Sequence, residues 1–326
     1  MTDSSDPGST ADHPTVVFLE AGSEHAGQRL DNFLLARLKG VPKSRIYRII
    51  RKGEVRVNRK RAKPDYKLQS GDQVRVPPLR MAEPREQLPP SQALAGLLRD
   101  AVLFQDDAMV IINKPAGLPV HGGTGVKTGL IEALRHMYPE IGGLELVHRL
   151  DKGTSGCLLL AKTNRDLNIL SDQFRQGEVR KTYHALVEGH WPDNLGEISK
   201  NLRREPARGG DRRVTVAPGG KAATTHFAVL ARYPAASLVQ ANPVTGRTHQ
   251  IRVHAAHAGH AIIGDDKYAQ PGSREWFTGQ GIRRLCLHAA ALELDHPATG
   301  RRLSVQAPYD DQFNAAIRIL QHPAGG

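Results

Sequence analysis

His148-Arg149-Leu150-Asp151-Lys152-Gly153-Thr154-Ser155-Gly156 runs directly into Cys157-Leu158-Leu159-Leu160-Ala161. The leading stretch sets a carboxylate between two cations and then turns through Gly-Thr-Ser-Gly. The apolar run behind it has the length of a buried strand bounded by that turn. Together they predict a loop that delivers Asp151 to the edge of a sheet. The flanking Arg149 and Lys152 suit an ionised carboxylate, and an ionised, oriented Asp is a competent nucleophile. Taken alone, His-Arg-Leu-Asp reads as a solvated charged turn, so its neighbours must decide.

Downstream, residues 164–174 carry an amphipathic helix pattern and residues 179–187 alternate as a strand. Residues 227–230, 238–241 and 303–307 add further strand runs. Upstream, residues 102–104 and 109–113 flank an Asp106-Asp107 turn and predict a β-hairpin. Residues 128–138 predict a helix capped by Thr128 that buries Leu130, Ile131 and Leu134, and residues 144–147 lead back into the Asp151 loop. Strand runs outnumber helices and lack regular βα alternation. The class expected is α+β: a mixed, largely antiparallel sheet with flanking helices.

The N-terminal part has a different character. Residues 15–20 read as an edge strand, and Leu30, Phe33, Leu34 and Leu38 share one helical face that stops at Gly40. A second helix opens at Val41-Pro42-Lys43-Ser44, with Lys43 or Ser44 near its cap and Ile46, Ile49 and Ile50 facing inward. Lys43, Arg45, Arg48, Arg51 and Lys52 accompany it, and Arg59, Lys60, Arg61 and Lys63 follow, against the single acid Glu54. That density of cations on a small α/β unit points to phosphate binding. The division expected is a disordered tail at 1–14, a basic module at 15–80, a Pro-rich linker at 81–97 and a larger domain at 98–318.

Composition narrows the partners. The 326 residues carry a formal net charge of +12, which favours a polyanion, nucleic acid first. At 39% hydrophobic and 5% aromatic residues, the core must be mainly aliphatic. No apolar run approaches the roughly 18 residues of a spanning helix, and the polar N-terminus has no signal-peptide core. Cys157 and Cys286 form neither a disulfide framework nor a zinc spacing, so a reducing cytosol is expected. Gly122 to Gly129 lacks the Gly-Lys-Ser/Thr ending of a phosphate loop. His249, His254, His257 and His260 lack metal-site spacing, so no metal or cofactor is expected.

Three more stretches bear on Asp151: Arg180-Lys181-Thr182-Tyr183, Thr245-Gly246-Arg247-Thr248-His249-Gln250-Ile251-Arg252-Val253-His254, and Arg284-Leu285-Cys286-Leu287-His288-Ala289. Read singly, they are a half-buried strand Tyr, a basic loop entering a helix, and a core strand. With the Asp151 stretch they resemble the signature of the pseudouridine synthases that modify structured RNA, in the branch acting on ribosomal and transfer RNA. The basic module, from Gln28-Arg29-Leu30-Asp31 to Gly53-Glu54-Val55-Arg56-Val57-Asn58, resembles the S4 RNA-binding domain.

The resemblance implies a cofactor-free isomerase. Uridine's C1′–N1 bond breaks, the uracil rotates, and C5 bonds to the same sugar carbon. It implies Asp151 as the catalytic carboxylate, Tyr183 stacked on the flipped base, and Arg252 paired with Asp151. It also implies Leu287 as the apolar wall, Arg149 in the place vacated by the base, and His148 and Arg247 as RNA contacts. Lys43, Arg45, Arg48, Arg51 and Lys52 would bind RNA on the basic module. The partner expected is large-subunit ribosomal RNA, met by a cytoplasmic monomer without membrane attachment. Two other readings compete: a non-catalytic RNA-binding or ribosome-assembly protein with the same fold, and a nucleic-acid hydrolase. A hydrolase of glycosidic bonds usually needs two carboxylates, and the motif supplies one.

Overall fold

A computed structural model of the chain describes residues 16–38, 40–79, 89–122, 128–205 and 213–322. The tail at 1–14, residues 81–88 of the Pro-rich stretch and the segment Arg208-Gly209-Gly210-Asp211 lie outside them. The chain divides into two compact units, Met1–Glu86 and Gln87–Gly326.

The first unit contains β1 (Val17–Glu20), α1 (Leu30–Arg37), α2 (Lys43–Lys52), β2 (Arg56–Val57), β3 (Lys60–Arg61) and β4 (Gln73–Val76). Its four-stranded sheet has the order β1-β4-β2-β3, which makes β1 the edge strand read from sequence. Leu30, Phe33, Leu34, Ile46, Ile49 and Ile50 form its core with Val55 and Val74. α2 begins on Pro42 as N-cap with no side-chain hydrogen bond, not on Lys43 or Ser44. Ser44 already lies inside the first turn, where its hydroxyl is past the capping position. The helix ends at Gly53, whose φ of 72° lets its N–H turn back to the carbonyls of Ile49 and Ile50. Asp31 is buried beside Arg29; the Arg29 side chain, helped by hydrogen bonds from Tyr47 and the Asn32 N–H, holds its carboxyl down at about 2.

The second unit starts with α3 (Gln92–Asp100), then β5 (Val102–Gln105), β6 (Met109–Lys114), α4 (Leu130–Met137), β7 (Glu145–Leu146), β8 (Ser155–Ala161) and α5 (Asn164–Gln176). It continues with β9 (Arg180–Glu188), β10 (Glu197–Arg204), β11 (Val214–Val216), β12 (Lys221–Tyr233), β13 (Ala236–Pro243) and α6 (Gln250–His257). It closes with α7 (Pro271–Gly279), β14 (Leu287–Asp295), β15 (Arg302–Gln306) and α8 (Asp311–Gln321). Two expectations change here. The stretch read as linker to 97 already holds α3, because Ser91 accepts the Leu94 N–H and caps a helix that buries Leu98. Gly129, not Thr128, is the N-cap of α4.

Among the described residues one 11-stranded sheet runs β11-β10-β12-β13-β9-β14-β8-β6-β5, with β15 on β14 and β7 on β8. The α+β class with a mixed, largely antiparallel sheet is therefore what the chain adopts. One aliphatic core packs β6 and β8 against α4 and α5; a second packs β9 and β13 against α6 and α8 around Trp191 and Phe313. Both thiols sit in these cores, where burial pushes Cys157 and Cys286 up to about 12 and leaves them unreactive.

The pairing of β8 with β14 is parallel, and it places the site. Parallel neighbours start at the same end, so the loop before β8 and the first residue of β14 meet there. Antiparallel β9 passes beside β14 with Tyr183 opposite Ala289, and β13 lies on its other side with Ala241 opposite Tyr183. Asp151, Leu287, Tyr183 and the loop after β13 are thus brought to one sheet edge. Gly156 lets β8 and β14 close: its φ is +104°, and a Cβ there would fall within 2.6 Å of Ala289 N and closer still to its carbonyl oxygen. Gly156→Ala is expected to cost about 3 kcal/mol or more in urea unfolding, combining backbone strain with overpacking. A cost below about 1 kcal/mol would show that the two strands separate easily.

Candidate active site

A cleft of about 260 Å³ opens at this edge, lined by Asp151, Tyr183, Leu287, Arg149, Arg247 and Arg252 among others. These residues come from four separate stretches of sequence. Asp151 is the one carboxylate among the described lining residues.

The Asp151 loop is held from below. Its own carbonyl accepts the Thr154 N–H at 3.1 Å, closing the turn before β8. Lys114, fully buried, donates from Nζ to the carbonyls of Pro115, Leu118 and Lys152 at 2.8, 2.9 and 3.2 Å. Burial pulls its pKa down to about 7, aided by Arg284 and opposed by Asp151. The carbonyls accept its N–H groups and so favour the charged form against that burial. At the far end of the turn, His288 Nε2 lies 3.1 Å from the Ala307 carbonyl and can only donate to it. Its Nδ1 then accepts from Ser155 Oγ at 2.8 Å, while Arg284 Nη2 donates to the same Oγ at 2.9 Å.

The cation beside Asp151 is not the one sequence proximity suggests. Arg252 Nη1 lies 3.4 Å from Asp151 Oδ2, and His249 Nε2 lies 3.7 Å from the same oxygen. Arg149 and Lys152 are exposed and make no ion pair with it. Arg252 is itself 5% exposed, and its fork grips the fully buried Asp265 through Nε and Nη2, each at 2.7 Å. Nη2 also reaches Asp266 at 3.2 Å. Burial works against the guanidinium charge, but the Asp265 hydrogen bond and the charges of Asp265 and Asp151 override it and hold the pKa above the ordinary arginine value. Arg252 is therefore a fixed charge in a fixed place.

Opposite the carboxylate, Tyr183 is half-buried and packs against the cores on both sides, one of which contains Leu287. Burial first, then the Asp151 charge, pushes its phenol pKa up, so the ring is neutral. An aromatic face and an aliphatic floor beside the Asp151 carboxylate suit a flat, uncharged base taken out of its stack. Arg149 and Arg247 are exposed at the mouth, with Arg247 Nε bonded to the Ala222 carbonyl at 3.2 Å.

His148 has another place. Its ring stacks on Phe174 with centroids 4.8 Å apart, and Nε2 accepts the Leu159 N–H at 3.1 Å. Burial holds its pKa down to about 4, so it is a neutral brace between the loop, β8 and α5, not a cation for RNA. In the first unit, Lys43, Arg45, Arg48, Arg51 and Lys52 are all exposed on α2, opposite its buried Ile46, Ile49 and Ile50. Sequence reasoning missed Lys114, Asp265, Tyr268 and Arg284, and weighed His249 only as a metal ligand. Each works through a partner distant in sequence; the one local signal was the acidic turn Gly264-Asp265-Asp266-Lys267-Tyr268 after an apolar pair.

Comparison with known proteins gives the chain relatives over nearly its whole length. The family described as RNA pseudouridylate synthase matches residues 108–257, and the S4 domain matches residues 28–74. The ribosomal large subunit pseudouridine synthase C of Yersinia pestis is 49% identical over 314 residues, covering 96% of this chain and 98% of that protein. The protein of the same name from Haemophilus influenzae is 48% identical, covering 94% and 96%. Among solved structures, Human RNA Pseudouridylate Synthase Domain Containing 4 superposes with a TM-score of 0.58 at 26% identity, covering 70% of this chain and 96% of that one. Close to half of the residues are shared over nearly the whole length of the bacterial relatives, and the chain belongs to the RNA pseudouridylate synthase family.

Proposed function

We propose that this enzyme isomerises specific uridines of large-subunit ribosomal RNA to pseudouridine, with Asp151 as the catalytic carboxylate. The observation that carries the reading is the one carboxylate among the described residues lining the cleft, backed by a buried Arg252 and facing an aromatic ring and an aliphatic floor. An isomerisation adds no net water, so it needs no second carboxylate to activate one. The C1′–N1 bond breaks, C5 bonds to C1′, C5 gives up its proton and N1 gains one. Tyr183 stacks on the uracil through this rotation and Leu287 closes the space beneath it. Arg252 pairs with the Asp151 carboxylate and keeps it aimed. Arg149, exposed at the mouth, fills the gap left in the RNA, which offsets part of the few kcal/mol that unstacking costs. The preference for large-subunit RNA rests on the names of the bacterial relatives. The same reading takes the enzyme as a cytoplasmic monomer. Separately, no helix among the described residues is long and apolar enough to cross a membrane.

The test is a competition between transcripts of large-subunit, small-subunit and transfer RNA, each carrying tritium at uridine C5. Tritium is released only where C5 forms the new bond. Release confined to the large-subunit transcript is expected; release mainly from another RNA would reassign the substrate.

The exposed cations of α2 give the first unit a phosphate-reading role in this scheme. Removing residues 1–86 is expected to weaken RNA binding and flatten its salt dependence, by roughly 0.7–0.9 in the log–log slope for each phosphate no longer neutralised. A salt slope unchanged by the truncation would assign those cations to solvent alone.

A further inference from the structure

Both close partners of the Asp151 carboxylate converge on a single oxygen: Arg252 Nη1 at 3.4 Å and His249 Nε2 at 3.7 Å from Oδ2. Among the described residues nothing hydrogen-bonds to Oδ1. We infer that His249 is a positioning residue for Asp151, fixed by Tyr268 in the Nε2–H tautomer, so that Oδ2 is the held oxygen and Oδ1 the reacting one. The inference rests on Asp151 being the catalytic carboxylate.

The tautomer follows from the phenol. Tyr268 Oη accepts the Val214 N–H at 3.0 Å and lies 2.7 Å from His249 Nδ1. Burial pushes the Tyr268 pKa up, so its proton stays on, and among the described residues His249 Nδ1 is the acceptor within hydrogen-bond reach of it. A ring that accepts at Nδ1 carries its hydrogen at Nε2, the nitrogen that faces Asp151. Burial lowers the His249 pKa; Asp151 and Asp265 pull it back up, while Arg252 and Lys267 push it down. The net result is a neutral imidazole with one N–H, aimed at Oδ2. At 3.7 Å this contact is longer than a hydrogen bond, as catalytic contacts often are before substrate closes them.

A single anchor sets both arms. Asp265, fully buried, grips Arg252 and also accepts the backbone N–H groups of Lys267 and Tyr268 at 2.9 and 3.2 Å. The Arg252 guanidinium lies 5.2 Å above the Tyr268 ring. One arm therefore runs from Asp265 through Arg252 to Oδ2, and the other through the Tyr268 turn and His249 to the same atom. His249 keeps a left-handed backbone with φ of 54°, a conformation that non-glycine residues rarely hold without a reason.

Two measurements test this. In protein labelled with ¹⁵N-histidine, the His249 signals are assigned by their loss in His249→Gln. The parent is expected to show the Nε2–H tautomer, and Tyr268→Phe a mixture of both. An Nδ1–H tautomer in the parent overturns the inference whatever RNA the enzyme modifies. In single-turnover tritium release, Tyr268→Phe is expected to slow isomerisation about tenfold while RNA affinity stays within about twofold. The Tyr268→Phe loss is expected to vanish in the His249→Gln background, because both changes break one chain. A parent-like rate in Tyr268→Phe, or an equal loss in both backgrounds, overturns the inference. If the parent releases no tritium from large-subunit RNA, the proposed substrate fails, and the tautomer spectrum still decides the role of His249.

Discussion

Asp151→Asn is expected to lower the single-turnover rate by roughly four orders of magnitude or more while RNA affinity stays within a few-fold. The side chains have the same shape, so the cleft is kept, and the substitution removes the negative charge, and with it the basicity and nucleophilicity, that any route through Asp151 needs. Attack on C1′, attack on C6 of the uracil and proton abstraction at C2′ all require an ionised carboxylate. Affinity is spared for an electrostatic reason. Among the described lining residues, Asp151 is the one acid in a cleft that also presents Arg149, Arg247, Arg252 and Lys181. Deleting its charge removes repulsion from RNA phosphate, so binding should hold or tighten. Filter binding beside tritium release separates the two effects. Turnover near the parent rate would remove Asp151 from the chemistry.

Arg252→Leu is expected to damage both activity and stability. Asp265 is fully buried and takes two 2.7 Å hydrogen bonds from this guanidinium. Leucine leaves that carboxylate facing an apolar side chain, a loss of about 3–5 kcal/mol for a broken buried pair. Asp151 loses its cation at the same time, and we expect about 10²–10³-fold in rate from that alone. Arg252→Lys should recover part of the stability and little of the rate, because one ammonium cannot serve both oxygens of Asp265 and reach Asp151. Urea unfolding with single-turnover rates reads both quantities. An Arg252→Leu protein as stable as the parent would mean that Asp265 finds solvent or another partner.

Much of this site is legible in the sequence. The His148–Gly156 stretch signals a loop entering a buried strand, and β8 is buried at every position. Tyr183, Leu287, Arg149, Arg247 and Arg252 each stand out in their motifs, and they line one cleft. Other features are hidden for physical reasons. β10 offers only Ile198 and Leu202 to the interior, four residues apart among polar and charged neighbours, so it shows neither a helix nor a strand period. The parallel contact of β8 with β14 joins residues more than a hundred positions apart, and no local pattern encodes it. The same distance keeps the cation of Asp151 out of any local pattern: Arg149 and Lys152 flank it in sequence yet make no ion pair with it, and Arg252 is reached only through the family resemblance. His148 reads as a basic motif residue, and only burial against Phe174 shows that it is a neutral brace. One helix cap differs from expectation: Gly129 takes the position at α4 that sequence assigns to the neighbouring Thr128.

The most direct measurement is to incubate the purified protein with unmodified large-subunit ribosomal RNA, adding neither metal nor nucleotide, and to map pseudouridine by carbodiimide adducts and primer extension. Stops at defined uridines with the parent protein, and none with Asp151→Asn, are expected. Stops that persist with Asp151→Asn, or none with the parent on free RNA and on isolated assembly particles alike, would contradict the central role given to this carboxylate on this RNA.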